Sequence, residues 1–334
     1  MTQSLPRRKS ASVAGLSRSV THRASGWLVG LVMMVAVGTA VAQPQSASAE
    51  GAPAISTVLA AHPIVVSLAE TLSEGTGIEV VRAVPANLPY TRWASYFDRR
   101  GAAALRRDAE RADAVLTLRS LWADDPLYPL ARRANIRIVE IDAAQPVDGA
   151  LPGIAMQAAA RNASNPGTPP IAAQPWLSPS NLGRMADIVA ADLQRLAPEA
   201  RQALAQNLAV FKQRLVALTA QAEATLASAP NVSVIVLSDR LDYLVSALNL
   251  DKVPFEQEGD EWDQASIDRL AATVQDNDAA AVLFHTALPE AVHSGLSESN
   301  PDVAFLMLES AATSGDVQAT VETVVQALRT NEDK

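Results

Sequence analysis

The chain has 334 residues, 49% hydrophobic and 19% charged, and contains no cysteine. That apolar fraction excludes wholesale disorder, and the length suits one large or two medium domains. Zero cysteines exclude a disulfide scaffold, a thiolate-held zinc or iron–sulfur site, thiol catalysis and a lipid-modified N-terminal cysteine, and a net charge of −9 argues against nucleic acid as a partner.

The first 42 residues read as a secretory signal. Arg7, Arg8, Lys9, Arg18 and Arg23 form a positive segment without an acid, residues 27–41 are apolar, and Ala40-Val41-Ala42 offers a cleavage site before Gln43. An apolar run of about 15 residues is short for a membrane span. Cleavage after Ala42 leaves 22 basic against 36 acidic residues, a net charge of −14. A soluble exported chain without a lipid anchor is expected in the periplasm. Residues 43–53 are small and polar and read as a disordered leader.

Strand and helix then alternate. The apolar patterning predicts strands at 55–60, 78–82, 114–118 and 136–141, with helices at 64–72, 102–111 and 127–134 between them. Prolines and glycines break the pattern over 143–172, which reads as a surface excursion. A helix over 180–196 follows, then a break at Ala197-Pro198-Glu199. Leu204, Leu208, Phe211, Leu215, Leu218, Ala222 and Leu226 then recur every three or four residues, one apolar stripe on a helix of about 28 residues, near 40 Å long. After Pro230 the alternation resumes, with strands at 232–237, 280–284 and 303–308 and helices at 241–248, 265–275, 289–296 and 317–329. The predicted fold is α/β, two lobes each with a mainly parallel sheet flanked by helices, joined by one long backbone helix. The lobes fall at 54–179 and 230–334, with the linking helices at 180–229. Closing them would have to bend the long helix, which implies limited hinge motion.

The stretch Gln174-Pro175-Trp176-Leu177-Ser178-Pro179-Ser180-Asn181, the break at Leu196-Ala197-Pro198-Glu199, the loop from Val84-Pro85 to Tyr90 and Leu237-Ser238-Asp239-Arg240-Leu241-Asp242-Tyr243 resemble motifs of the ZnuA/TroA-like solute-binding proteins of zinc and manganese ABC transporters. The resemblance spans nearly the whole mature chain. It implies a non-catalytic monomer that captures a metal ion or metal chelate between its lobes. Delivery would be to an inner-membrane permease and its ATPase, or, as a chaperone, to another soluble protein. Family members bind the ion with three histidines and a carboxylate. The histidine positions fall here on Leu88 or Pro89, on Gln174 and on Ser238, and only Glu309 matches the carboxylate. A leucine, an amide or a hydroxyl cannot replace imidazole for such an ion, so the usual zinc site is absent.

Ligands of open α/β sheets lie beyond the carboxyl ends of the strands, and two readings of that region stay open. A relocated metal site for zinc, manganese or iron would draw on His62, His285, Glu309 and Asp239. A larger chelate or anion would draw on Tyr90, Arg92, Trp93, Arg119, Gln174, Trp176, Ser238 and Arg240, because arginine forks hold carboxylate or phosphate and indole faces give rigid apolar contact. Against both, the histidines would merely cap strand ends or helix starts, the tryptophans would pack between the lobes, and His293 would sit exposed on a helix. Ser238, Asp239 and His285 lack the glycine-flanked elbow of a hydrolase. The acidic run Glu256, Glu258, Asp260, Glu261 and Asp263 lacks calcium-loop spacing.

Overall fold

The computed structural model describes residues 56–146, 149–157, 173–257 and 262–330. The expected signal segment, the expected leader and most of the expected excursion lie outside the described residues.

The strands are β1 (Ser56–Ala60), β2 (Ile78–Arg82), β3 (Ala114–Thr117), β4 (Val139–Asp142), β5 (Ser233–Val236), β6 (Asp251–Val253), β7 (Ala281–Phe284) and β8 (Ala304–Met307). The helices are α1 (Pro63–Leu72), α2 (Trp93–Asp98), α3 (Ala102–Arg111), α4 (Leu127–Ala134), α5 (Pro179–Leu196), α6 (Arg201–Leu226), α7 (Asp242–Ala247), α8 (Gln264–Asp276), α9 (Glu290–Ser299) and α10 (Ser314–Thr330). Two four-stranded sheets result, ordered β2-β1-β3-β4 and β6-β5-β7-β8, with every pairing parallel. The two orders are the same, so the lobes repeat one topology, and in each the strand order reverses at the first strand.

The central strands show why apolar runs make parallel sheets. β3 and β7 are buried at every residue, and β1 and β5 at all but one, because helices cover both faces. The outer strands β2, β4, β6 and β8 carry the exposed residues.

The long helix is α6, 26 residues and about 39 Å at 1.5 Å per residue. Of its stripe, Leu204, Phe211, Leu218, Ala222 and Leu226 are buried, and Leu208 and Leu215 partly so. Val210 and Val216 on the other face are exposed. The stripe lies in one continuous core with Val58, Leu116 and Ile141 of the first sheet and Val234 and Leu283 of the second. A smaller core on the other face of each sheet completes the layers. Pro198 starts a 3₁₀ turn, Pro198–Ala200, that feeds α6, as its fixed φ favours. The described residues form one unit, and among them no helix is long and apolar enough to cross a membrane.

Two differences from the expected elements have local causes. Strand β4 begins at Val139, not at 136, because Asn135 turns the chain first. Its Oδ1 accepts from the amide of Arg137 at 3.1 Å, and its Nδ2 donates to the carbonyls of Ala109 and Ala112. The strand β6 carries no sequence signal: three residues with only Val253 buried are too few to show alternation.

Leu204→Ala should lower unfolding stability in denaturant by about 2–5 kcal/mol, as expected for a cavity under a fully buried leucine. Val216→Ala on the exposed face should change it by less than about 0.5 kcal/mol. Equal effects would contradict the role assigned to the stripe.

Candidate functional site

The chain leaving β1 runs through Ala61 to His62, and Pro63 then opens α1 at the helix position that needs no amide hydrogen. His62 stands at the N-cap without making a cap bond. Its ring packs edge-on against Trp176 at 4.9 Å between centroids and Trp93 at 6.4 Å. Trp122 extends the cluster, lying 5.4 Å from Trp93 and 5.8 Å from Tyr90. The indoles are anchored at both ends of the cluster. Trp93 Nε1 donates to the carbonyl of Leu88 at 3.0 Å, and Trp176 Nε1 to that of Ala311 at 3.1 Å. The second bond joins the two halves of the fold.

Burial among these rings pushes the His62 imidazole down to about 3. The residue keeps a little exposed surface, but its Nδ1 has none and no hydrogen-bond partner. His62 is therefore neutral at any physiological pH.

Gln174 precedes the 3₁₀ turn Pro175–Leu177 with φ at 47°, the left-handed region that a glutamine enters only under constraint. Asn181 on α5 supplies that constraint. Its amide donates to the carbonyl of Pro175 at 3.1 Å and to that of Ala155 at 3.0 Å, and its Oδ1 accepts from the amide of Ala155. Gln174 is 5% exposed. Its Nε2 donates to Ser310 Oγ at 2.9 Å, a second bond between the halves, and its Oε1 has no partner. Turning the amide over would only exchange which end is left unpaired.

These residues frame a cleft of about 170 Å³. His62, Tyr90, Trp93, Gln174 and Trp176 line it together with Pro63, Leu88 and Pro89, and Arg240, Ser310, Ala311 and Ala312 close it from the second lobe. Arg240 is the one charged side chain of the lining. It belongs to the 3₁₀ turn Asp239–Leu241 after β5, where Ser238 Oγ accepts from the Arg240 amide. It makes no ion pair among the described residues. His62 and Arg240 thus follow the first strand of each sheet, at the points where ligands of such sheets collect.

Several residues expected at the site lie elsewhere. Arg92 is exposed beside the cleft. Arg119 turns to Glu140 on the neighbouring strand, with Nη1 3.3 Å from the carboxylate. Ser238 caps its turn and does not line the cleft. The metal set is not assembled either: among the described residues no three histidine, aspartate or glutamate side chains gather to hold an ion. His62 is drawn into the aromatic cluster, Asp239 and Glu309 are exposed, and His285 contacts Thr286 Oγ1 at 3.0 Å. Burial and the nearby Arg240 charge hold the His285 imidazole below its usual range. His293 is exposed on α9, as expected. Ser310 to Ala312 were not anticipated. Their only signal was their place directly after Glu309 at the end of the last strand.

Two similar parallel-sheet lobes, fixed by one long helix and meeting over a shared cleft, define the two-lobed α/β fold of solute-binding proteins. The family described as zinc-uptake complex component A, periplasmic (ZnuA) matches residues 109–334, and the chain belongs to that family. No curated protein matches the sequence. Among solved structures, ZnuA is similar at 22% identity, covering 82% of this chain and 98% of its own, with a TM-score of 0.59. A mutant of FpvC from Pseudomonas aeruginosa is similar at 22% identity, covering 82% and 99%, with a TM-score of 0.60. The Zn(II)-bound ZnuA-like domain of Streptococcus pneumoniae AdcA is 17% identical, covering 83% and 98%, with a TM-score of 0.59. At these identities the likeness is one of fold.

The state of His62 has a measurable consequence. Its imidazole titrates near 6.5 when unfolded and near 3 when folded, so between those values the unfolded chain binds more protons. Stability is then lost as pH falls from 6.5 toward 3, by up to about 1.4 kcal/mol per pH unit. Asp125, buried and raised to about 6, acts in the opposite sense over pH 6 to 4, so the comparison must be with a variant. The stability of wild type relative to His62→Phe should decline steadily from pH 6.5 to 4; parallel curves would refute the assignment.

Proposed function

We propose that the protein is a non-catalytic, monomeric receptor of a periplasmic metal-uptake system, which takes its cargo between lobes spanning 54–179 and 230–334. The observation that carries this reading is the cleft itself. It lies at the carboxyl ends of both first strands and is closed by residues of both halves. Membership of the zinc-uptake family supports metal as the cargo, and so do structures of FpvC with Ni²⁺ and with Mn²⁺. Delivery would be to an inner-membrane ABC permease driven by its ATPase.

The chemistry of the lining favours a complexed metal over a bare ion. Among the described residues the lining offers one neutral imidazole, one amide, two hydroxyls and no carboxylate, a poor donor set for a divalent cation, and the guanidinium of Arg240 repels one. The residues assigned to cargo contact are therefore Tyr90, Trp93, Gln174, Trp176 and Arg240, with His62 a wall of the cleft and not a metal ligand.

Native mass spectrometry with elemental analysis of untagged protein from the periplasm tests the reading. The expected result is one metal per chain, carried within a heavier organic adduct, with occupancy reduced at least tenfold in Trp176→Ala. Protein that carries no metal, and takes up none from zinc, manganese or iron salts or from their organic-acid complexes, would overturn it.

A further inference from the structure

Two features of the cleft lack a counterpart among the described residues, and a third shapes its walls. Arg240, its one charged side chain, has no ion-pair partner among the described residues. Gln174, 5% exposed, leaves one end of its amide unpaired, which is unfavourable for a buried polar group unless a partner reaches it. The remaining walls are apolar and aromatic, from Leu88, Tyr90, Trp93 and Trp176. Each feature specifies part of a ligand. A planar guanidinium fork without a carboxylate of its own matches a ligand carboxylate. An orphaned amide end, oxygen or nitrogen, matches a hydroxyl, which can donate or accept. Flat apolar walls match an aromatic or aliphatic body, and about 170 Å³ limits its size.

We infer that the cleft recognises a small hydroxycarboxylate with an apolar body, its carboxylate held by Arg240 and its hydroxyl hydrogen-bonded to the free end of the Gln174 amide. This rests on the receptor reading above and specifies its cargo: the hydroxycarboxylate enters either as the free acid or as the organic part of a metal complex. Ser238 takes part as a positioning residue, since its hydroxyl accepts from the Arg240 amide and fixes the turn that presents the guanidinium. Ser310 does the same for Gln174 through its 2.9 Å contact with Nε2.

The test is calorimetric titration of the full mature chain with four probes: mandelate, phenylacetate (the same acid without the hydroxyl), mandelate premixed with zinc sulfate, and zinc sulfate alone. Mandelate, free or with zinc, should bind. Phenylacetate should bind at least tenfold more weakly than mandelate, because it leaves the free end of the Gln174 amide unpaired. Arg240→Gln should weaken mandelate at least tenfold, and Arg240→Lys, which keeps the charge and loses the fork, by less. Unchanged thermal unfolding of both variants would show that they fold. Stronger binding of the premixed probe would identify the metal complex as the source, and equal binding the free acid. Zinc sulfate binding with an affinity indifferent to Arg240→Gln, while mandelate fails in both forms, would overturn the inference and leave the receptor reading standing. No binding of any of the four would overturn the inference as well. The receptor reading then falls only if protein from the periplasm also carries no metal.

Discussion

Everything in this molecule depends on the burial of one apolar stripe. Leu204, Phe211, Leu218, Ala222 and Leu226 of α6 are packed into a core that reaches both sheets, so the helix cannot leave one lobe without exposing apolar surface at the other. At roughly 25 cal/mol per Å² of such surface, separating the halves costs more than small tilts or loop movements. The cleft between the lobes is held nearly fixed by that cost. Two hydrogen bonds across it, from Trp176 to Ala311 and from Gln174 to Ser310, set its width at the mouth. Any opening of the cleft that keeps this core intact would rearrange the loops near these bonds before it rotated whole lobes.

Much of the fold was legible because its signals are periodic. A stripe spaced by three and four residues needs only a core to face, and the short apolar runs of β1, β3, β5 and β7 announce strands buried on both sides. What was not legible depends on single contacts. The late start of β4 follows from the hydrogen bonds of one asparagine, Asn135, to the helix before it. The strand β6 exists because β5 offers it a free edge, a fact of topology that its own three residues do not encode.

The candidate site divides along the same line. That residues after the strand ends share a cleft follows from the parallel topology, and Tyr90, Trp93, Gln174, Trp176 and Arg240 do line it. Which way each side chain turns is decided by its neighbours. Arg119 is taken up by Glu140 on the adjacent strand, and His62 is drawn among the tryptophans instead of toward another imidazole. Linear order could place His62, His285 and Glu309 at one rim, but it could not show that only one of them reaches the cavity. The signature around Gln174 is informative for a structural reason. Asn181 pins the loop backbone in place, so the scaffold of the motif persists where its histidine does not.

The repeated topology of the lobes gives the cleft a direction. His62 and Arg240 stand at equivalent stations, each just beyond the first strand of its sheet, yet one is neutral and enclosed by rings while the other carries a full positive charge. A symmetric frame has been furnished with an electrical polarity. A molecule with a charged end and an apolar end would enter such a frame in one sense only.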